Sequence, residues 1–185
     1  MASTAEPAEP PEPLPHAVRR LHTVTESQVL ALADVLIDCV EGDASVSFMH
    51  PLSPEKAQAC WRGVAAGVAR GERALLVAED EHGIVGSVQL VLDQPENQPH
   101  RADVSKMLVL QSARRHGLGA ALMRAAELAA RECGKTLLVL DTASGDAERL
   151  YTRLGWQACG VIPNYALLPR GGFCDTRYFY RTLVD

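Results

Sequence analysis

Between residues 111 and 120 the chain reads Gln111-Ser112-Ala113-Arg114-Arg115-His116-Gly117-Leu118-Gly119-Ala120. The apolar periodicity that follows predicts a helix starting near Gly117. A helix N-terminus offers unpaired N–H groups and a partial positive charge. Glycines let such a backbone approach a ligand closely, and the two arginines add charge. The stretch is therefore an anion site suited to phosphate or pyrophosphate. It is not a P-loop, because no Gly-Lys-Ser/Thr follows the glycines. The GxGxxG dinucleotide fingerprint is also missing, although Asp141 stands at about the distance of that fingerprint's acidic residue and keeps the alternative open.

The flanking pattern supplies the elements that hold this turn. A strand is predicted over Ala102–Leu110, a helix over Gly117–Cys133 closed by Gly134, and a strand over Thr136–Leu140. This strand–helix–strand unit places its two strands in parallel. The apolar run of the second strand predicts burial on both faces. A shorter helix, Ala147–Leu154, ends at Gly155, and residues 156–162 and 175–183 read as two more strands. Upstream, Val18–Val24 reads as a strand. Helices follow over Ser27–Val40, with Thr25 and Gln28 as a capping box, and over Pro54–Arg70, with Ser53 as N-cap. Ala74–Glu79 and Ile84–Leu92 are strands joined by a hairpin turn. The sum is a mixed α/β sheet of six or seven strands with about four helices.

Size and charge limit the alternatives. The 185 residues are 47% hydrophobic and 22% charged, an ordinary globular balance. Of the net charge of −5, three acids (Glu6, Glu9 and Glu12) lie in the first fifteen residues, which carry no Lys or Arg. The remaining near-neutral body has no electrostatic footprint for nucleic acid. No apolar run is long enough to span a bilayer, and the N-terminus does not read as a signal peptide, so a cytoplasmic protein is expected. Residues 1–17, rich in Pro and Glu, read as a disordered tail, and 18–185 as one domain. Cys39, Cys60, Cys133, Cys159 and Cys174 form no CxxC pair and read as small buried hydrophobes, with no metal site expected.

Arg114-Arg115-His116-Gly117-Leu118-Gly119 resembles the Arg/Gln-x-x-Gly-x-Gly/Ala signature of the GNAT superfamily of N-acetyltransferases. Lys106-Met107-Leu108-Val109-Leu110 before it is similar to that family's pantetheine-side strand. Leu150-Tyr151-Thr152-Arg153-Leu154-Gly155-Trp156 is similar to its second motif. Gln111 departs from the proline common at its position. The resemblance implies a mixed, mostly antiparallel sheet with a central splayed parallel pair, and acetyl-coenzyme A (acetyl-CoA) as acetyl donor. It places the pyrophosphate on Arg114, Arg115, His116, Gly117, Leu118, Gly119 and Ala120. The pantetheine arm falls on Met107, Leu108 and Val109, with the Val109 N–H as oxyanion donor.

The same resemblance makes Tyr151 the acid at the coenzyme sulfur; by spacing alone, Ala147, Leu150, Tyr151 and Leu154 form an apolar face and Tyr151 is equally a core residue. Asp141 is the candidate base, working through a water or after desolvation, and its competing role is to cap the loop Thr142–Gly145. Glu79 and His50 are weaker candidates. The acceptor is expected between the loop Gly42–Pro51 and the last hairpin, Ile162–Thr176, where Tyr165, Asp175 and Arg177 line a site or merely solubilise a strand. Gly160–Ala166, Phe173–Thr176 and Asp43–Phe48 are similar to the tabtoxin-resistance acetyltransferases, which implies a small, polar, amino-acid-like acceptor and a role in toxin resistance. Acetylation of protein or peptide amines, and a non-catalytic acyl-CoA sensor, are the competing functions. The resemblance also brings a homodimer into view.

Overall fold

The computed structural model describes residues 17–183. The expected Pro/Glu-rich tail, residues 1–17, lies outside the described residues except for Ala17, which opens the first strand. Seven strands form one sheet in the order β1-β2-β3-β4-β5-β7-β6. They are β1 (Ala17–Leu21), β2 (Arg73–Asp80), β3 (Gly83–Val91), β4 (Arg101–Val109), β5 (Leu137–Thr142), β6 (Gln157–Leu167) and β7 (Phe173–Thr182). The helices are α1 (Glu26–Glu41), α2 (Pro54–Ala69), α3 (Leu118–Glu132) and α4 (Gly145–Arg153). Among the described residues, no helix is long and apolar enough to cross a membrane.

The predicted caps form. Thr25 accepts from the Gln28 N–H while the Gln28 side chain accepts from the Thr25 N–H, the reciprocal box that starts α1. Ser53 accepts from the Lys56 N–H with Pro54 in the first turn of α2.

Alternation along β2 divides the interior. Ala74, Leu76 and Ala78 face a core shared with α3 and with Tyr151 of α4. Leu75 and Val77 face a second core built with α1 and α2 around the fully buried Trp61. The result is a helix–sheet–helix sandwich.

Among the described residues only β4 and β5 run parallel, and they pair over Arg101–Asp103 with Leu137–Val139. Beyond that point β5 stays on β7, while β4 stays on β3 through Val109. The sheet therefore opens into a V between Val104–Val109 and Leu140–Thr142.

Two expectations need correction. β5 is not buried on both faces: Leu138 and Leu140 are buried, Leu137 and Val139 are half-buried, and Asp141 is exposed. The reason is that α1 and α2 pack on β2, β3 and β4 and leave that face of β5 thinly covered. The last hairpin is also longer than its pattern predicts, because Pro163 reads as a break. β6 is an edge strand, where a missing N–H costs no ladder bond, and it runs through Pro163 with a register shift between Ile162 and Ala166.

Candidate active site

The V between β4 and β5 is the mouth of a cleft of about 1660 Å³, larger than a typical single-ligand pocket. Its walls come from β4, the start of α3, the end of β5, α4, the α1–α2 loop and the last hairpin. A separate hollow of about 430 Å³ lies beside the β2–β3 turn, away from Asp141 and Tyr151.

The Arg114–Ala120 turn leads into α3, where the sequence predicts a helix start. Gly117 is the N-cap of α3 at φ 80°, a left-handed conformation that glycine adopts without strain, and no side chain caps the helix. The first backbone bond onto the Gly117 carbonyl comes from Ala121, so the Leu118, Gly119 and Ala120 N–H groups point out of the helix end. A Cβ on Gly119 would lie 2.9 Å from Leu150 Cδ2, so this glycine keeps the floor of the cleft low. Arg115 is exposed and also left-handed at φ 67°. Arg114 turns inward instead: its Nε donates to the Val109 carbonyl at 3.1 Å, and its Nη2 is 3.8 Å from Cys39 Sγ.

Val109 closes β4. The Leu110 N–H donates to the Val85 carbonyl on β3. Alternation along the strand then turns the Val109 N–H away from β3, toward the gap that β5 has left.

Asp141, near the end of β5, and Tyr151, on α4, both line the cleft. Asp141 does not cap the following loop: Thr142 Oγ1 accepts from the Ser144 N–H, and Ser144 caps α4. Asp141 Oδ2 instead accepts from the buried Thr176 Oγ1 at 2.7 Å, which aims the carboxylate along the cleft. Tyr151 is a core residue that also reaches the cleft. Its ring packs in the core, 5.7 Å from Phe179 and 6.0 Å from Trp156, and the residue also lines the cleft. Burial, and secondarily the charge of Asp141, push its hydroxyl far above the ordinary tyrosine value.

Other candidates have structural partners. Glu79 is held by Arg19 of β1 at 2.6 Å. Asp175 accepts from the Asn164 N–H inside its hairpin, and Arg177 pairs with Glu148 of α4 at 2.9 Å. Tyr165 lines the cleft, with its hydroxyl 3.0 Å from that of Tyr178. The expectation that every cysteine is buried fails at Cys159, which is exposed on the edge strand β6. Cys39 is buried, and burial raises its thiol pKa despite Arg114.

The α1–α2 loop and the last hairpin, which both contribute to the cleft lining, are linked to each other. The His50 N–H donates to the Pro169 carbonyl at 2.9 Å. Arg170 donates to His50 Nδ1 at 3.1 Å and to the Glu41 carbonyl at 3.0 Å. Cys174 Sγ lies 3.7 Å from Ser45 Oγ. The α1–α2 loop and the last hairpin are thereby stitched together. Sequence reasoning missed these links, and it missed Thr176 as the partner of Asp141 and Ser87 as an anchor of β4, since no local pattern announces them.

The acetyltransferase (GNAT) domain family matches residues 71–158, the stretch that holds β3, β4, α3, β5 and α4. An uncharacterized N-acetyltransferase of Azospirillum brasilense is 32% identical over 126 residues, covering 67% of this chain and 73% of that protein. The chain belongs to the GNAT acetyltransferases.

Solved structures agree on the fold. The ribosomal-protein-alanine N-acetyltransferase of Brucella melitensis superposes with a TM-score of 0.74 at 24% identity, covering 90% of this chain and 99% of that one. A GNAT phosphinothricin acetyltransferase from Sinorhizobium meliloti, solved with acetyl-CoA, gives 0.74 at 16% identity over 90% and 88%. As a GNAT enzyme the protein is an acetyl-CoA-dependent N-acetyltransferase. Its cleft suits that donor: an uncapped helix N-terminus for a diphosphate, and an unpaired flank of β4 along which an extended arm can lie.

Proposed function

We propose that this GNAT enzyme moves the acetyl group of acetyl-CoA onto the amine of a small, polar, amino-acid-like acceptor. The observation that carries this reading is the bridge from His50 and Arg170 across the acceptor end of the cleft. A peptide acceptor needs an open groove between the α1–α2 loop and the hairpin, and here those walls are tied together. The toxin-like acceptor implied by the tabtoxin-resistance resemblance belongs to this same class.

Acetyl-CoA supplies a thioester-activated acetyl group, and the chain's residues do the rest. The backbone from Arg114 to Ala120, with Gly117 and Gly119 permitting close approach, holds the diphosphate. Met107, Leu108 and Val109 hold the pantetheine arm as an added strand would be held. The Val109 N–H donates to the acetyl oxygen as negative charge builds there. Asp141, oriented by Thr176, takes up the proton released as the acceptor amine bonds to the acetyl carbon. Tyr151, kept neutral by burial, donates a hydrogen bond to the sulfur as the carbon–sulfur bond breaks, and the departing thiolate takes its proton from solvent.

The deciding experiment incubates the purified enzyme with acetyl-CoA and two panels, small amines and short peptides, and follows free thiol above background hydrolysis. Amine-dependent release confined to the small acceptors is the expected result. Release with peptides alone would overturn the reading.

A further inference from the structure

Lys106 combines an unusual backbone with a charged side chain in the wall of the cleft. It sits on β4 at φ 50°, a left-handed conformation that disfavours a residue with a Cβ. The β3–β4 register breaks there, with Ser87 opposite Leu108 and Gln89 opposite Ser105, so two β4 residues oppose one on β3. This is a β-bulge, a feature that re-aims a side chain. Ser87, fully buried, spends its hydroxyl on locking it, donating to the Lys106 carbonyl at 3.0 Å.

The bulge delivers the Lys106 side chain into the cleft. Its Nζ donates to the Val46 carbonyl at 3.0 Å and lies 5.6 Å from the centre of the Phe48 ring, both on the α1–α2 loop. Among the described residues it forms no ion pair. Burial lowers its pKa, while the Asp141 carboxylate, within electrostatic reach, works the other way. One of its three N–H donors is used on Val46, leaving donor capacity for a second partner. The acceptor end thus presents a carboxylate from β5 and an ammonium from β4, a pattern complementary to a molecule that carries an amine and an acid.

We infer that Lys106 Nζ receives the carboxylate of an amino-acid acceptor while Asp141 faces its reacting amine. This inference rests on the small-acceptor reading and specifies it. It makes Lys106 a specificity-determining residue, with Ser87 as the positioning residue behind it.

The test compares the twenty amino acids with their primary amides as acceptors, for the wild type, Lys106→Met and Lys106→Arg. The readout is the ratio of kcat/KM for each acid to that for its amide. The wild type is expected to favour the acids. Lys106→Met should collapse that ratio at least tenfold, chiefly through acceptor KM, and Lys106→Arg should retain most of it. Calorimetric binding of acetyl-CoA to each variant reports that the cleft is folded. A wild type that uses amides as well as acids, or a ratio unmoved in a Lys106→Met protein that binds acetyl-CoA, overturns the inference and leaves the small-acceptor reading standing. Acetylation of peptides with no turnover of any small amine overturns both.

Discussion

Tyr151 owes its chemistry to burial. Its ring is wedged between Phe179 and Trp156, and the low-dielectric surroundings penalise the phenolate. In the proposed mechanism the hydroxyl is therefore a neutral donor, its pKa raised by burial. Tyr151→Phe keeps the ring packing and removes only the donor. The expected outcome is a fall in kcat on the order of 10²-fold with acetyl-CoA binding retained. Because the group titrates above the accessible range, the alkaline limb of the kcat–pH profile should stay where it is in the variant. A limb that vanishes in Tyr151→Phe would show that the hydroxyl ionises during turnover after all. Tyr178 is controlled differently: its hydrogen bond with Tyr165, and secondarily burial, push its hydroxyl up to about 12.

At the scale of elements, the site depends on how β4 is held. Its tip is tied on both sides. On one, Gly86 lets β3 approach closely: a Cβ there would meet the Leu108 carbonyl at 2.9 Å and Leu122 Cδ1 at 3.2 Å. On the other, the Gln111 N–H donates to Asp38 Oδ2 at 2.8 Å, and its side-chain amide donates to the Asp38 carbonyl. A proline at 111, which the family resemblance leads one to expect, has no N–H to make the first of these bonds. The departure at Gln111 thus anchors β4 to the end of α1. Gly86→Ala forces backbone to move against backbone, at a cost of about 2 kcal/mol. For a chain of this length that is a fall in Tm of roughly 4–8 °C. Thermal denaturation checks it, and an unchanged Tm would mean that the β3–β4 spacing relaxes freely.

Across the whole molecule, the sandwich places two cores on either side of one sheet, and the sheet splits between β4 and β5. The bridge from Arg170 to His50 and Glu41 then bounds one end of the split. Arg170→Ala removes the bridge without touching the residues assigned to acetyl-CoA. Acceptor KM should rise about fivefold, a loss the size of one or two polar contacts, with acetyl-CoA KM unchanged. The same variant should begin to accept short peptides. If acceptor KM and range both stay put, the bridge does not define the acceptor end.

Much of this was legible before folding, where the signal is local. The capping box Thr25–Gln28, the Ser53–Pro54 start and the Arg114–Gly119 turn each lie within a few residues, because helix ends and glycine conformations are decided over that span. Apolar periodicity placed α1, α2, α3 and α4 and the strands to within a few residues, the far end of β6 excepted. Tertiary structure alone decided the rest. The β-bulge at Lys106 needs Ser87 on a neighbouring strand, and the aim of Asp141 needs Thr176, 35 residues away. The bridge joins His50 to Arg170 over 120 residues. Such contacts leave no periodic trace along the chain, since they form only after sheet pairing has paid the loop-closure entropy that separates their partners.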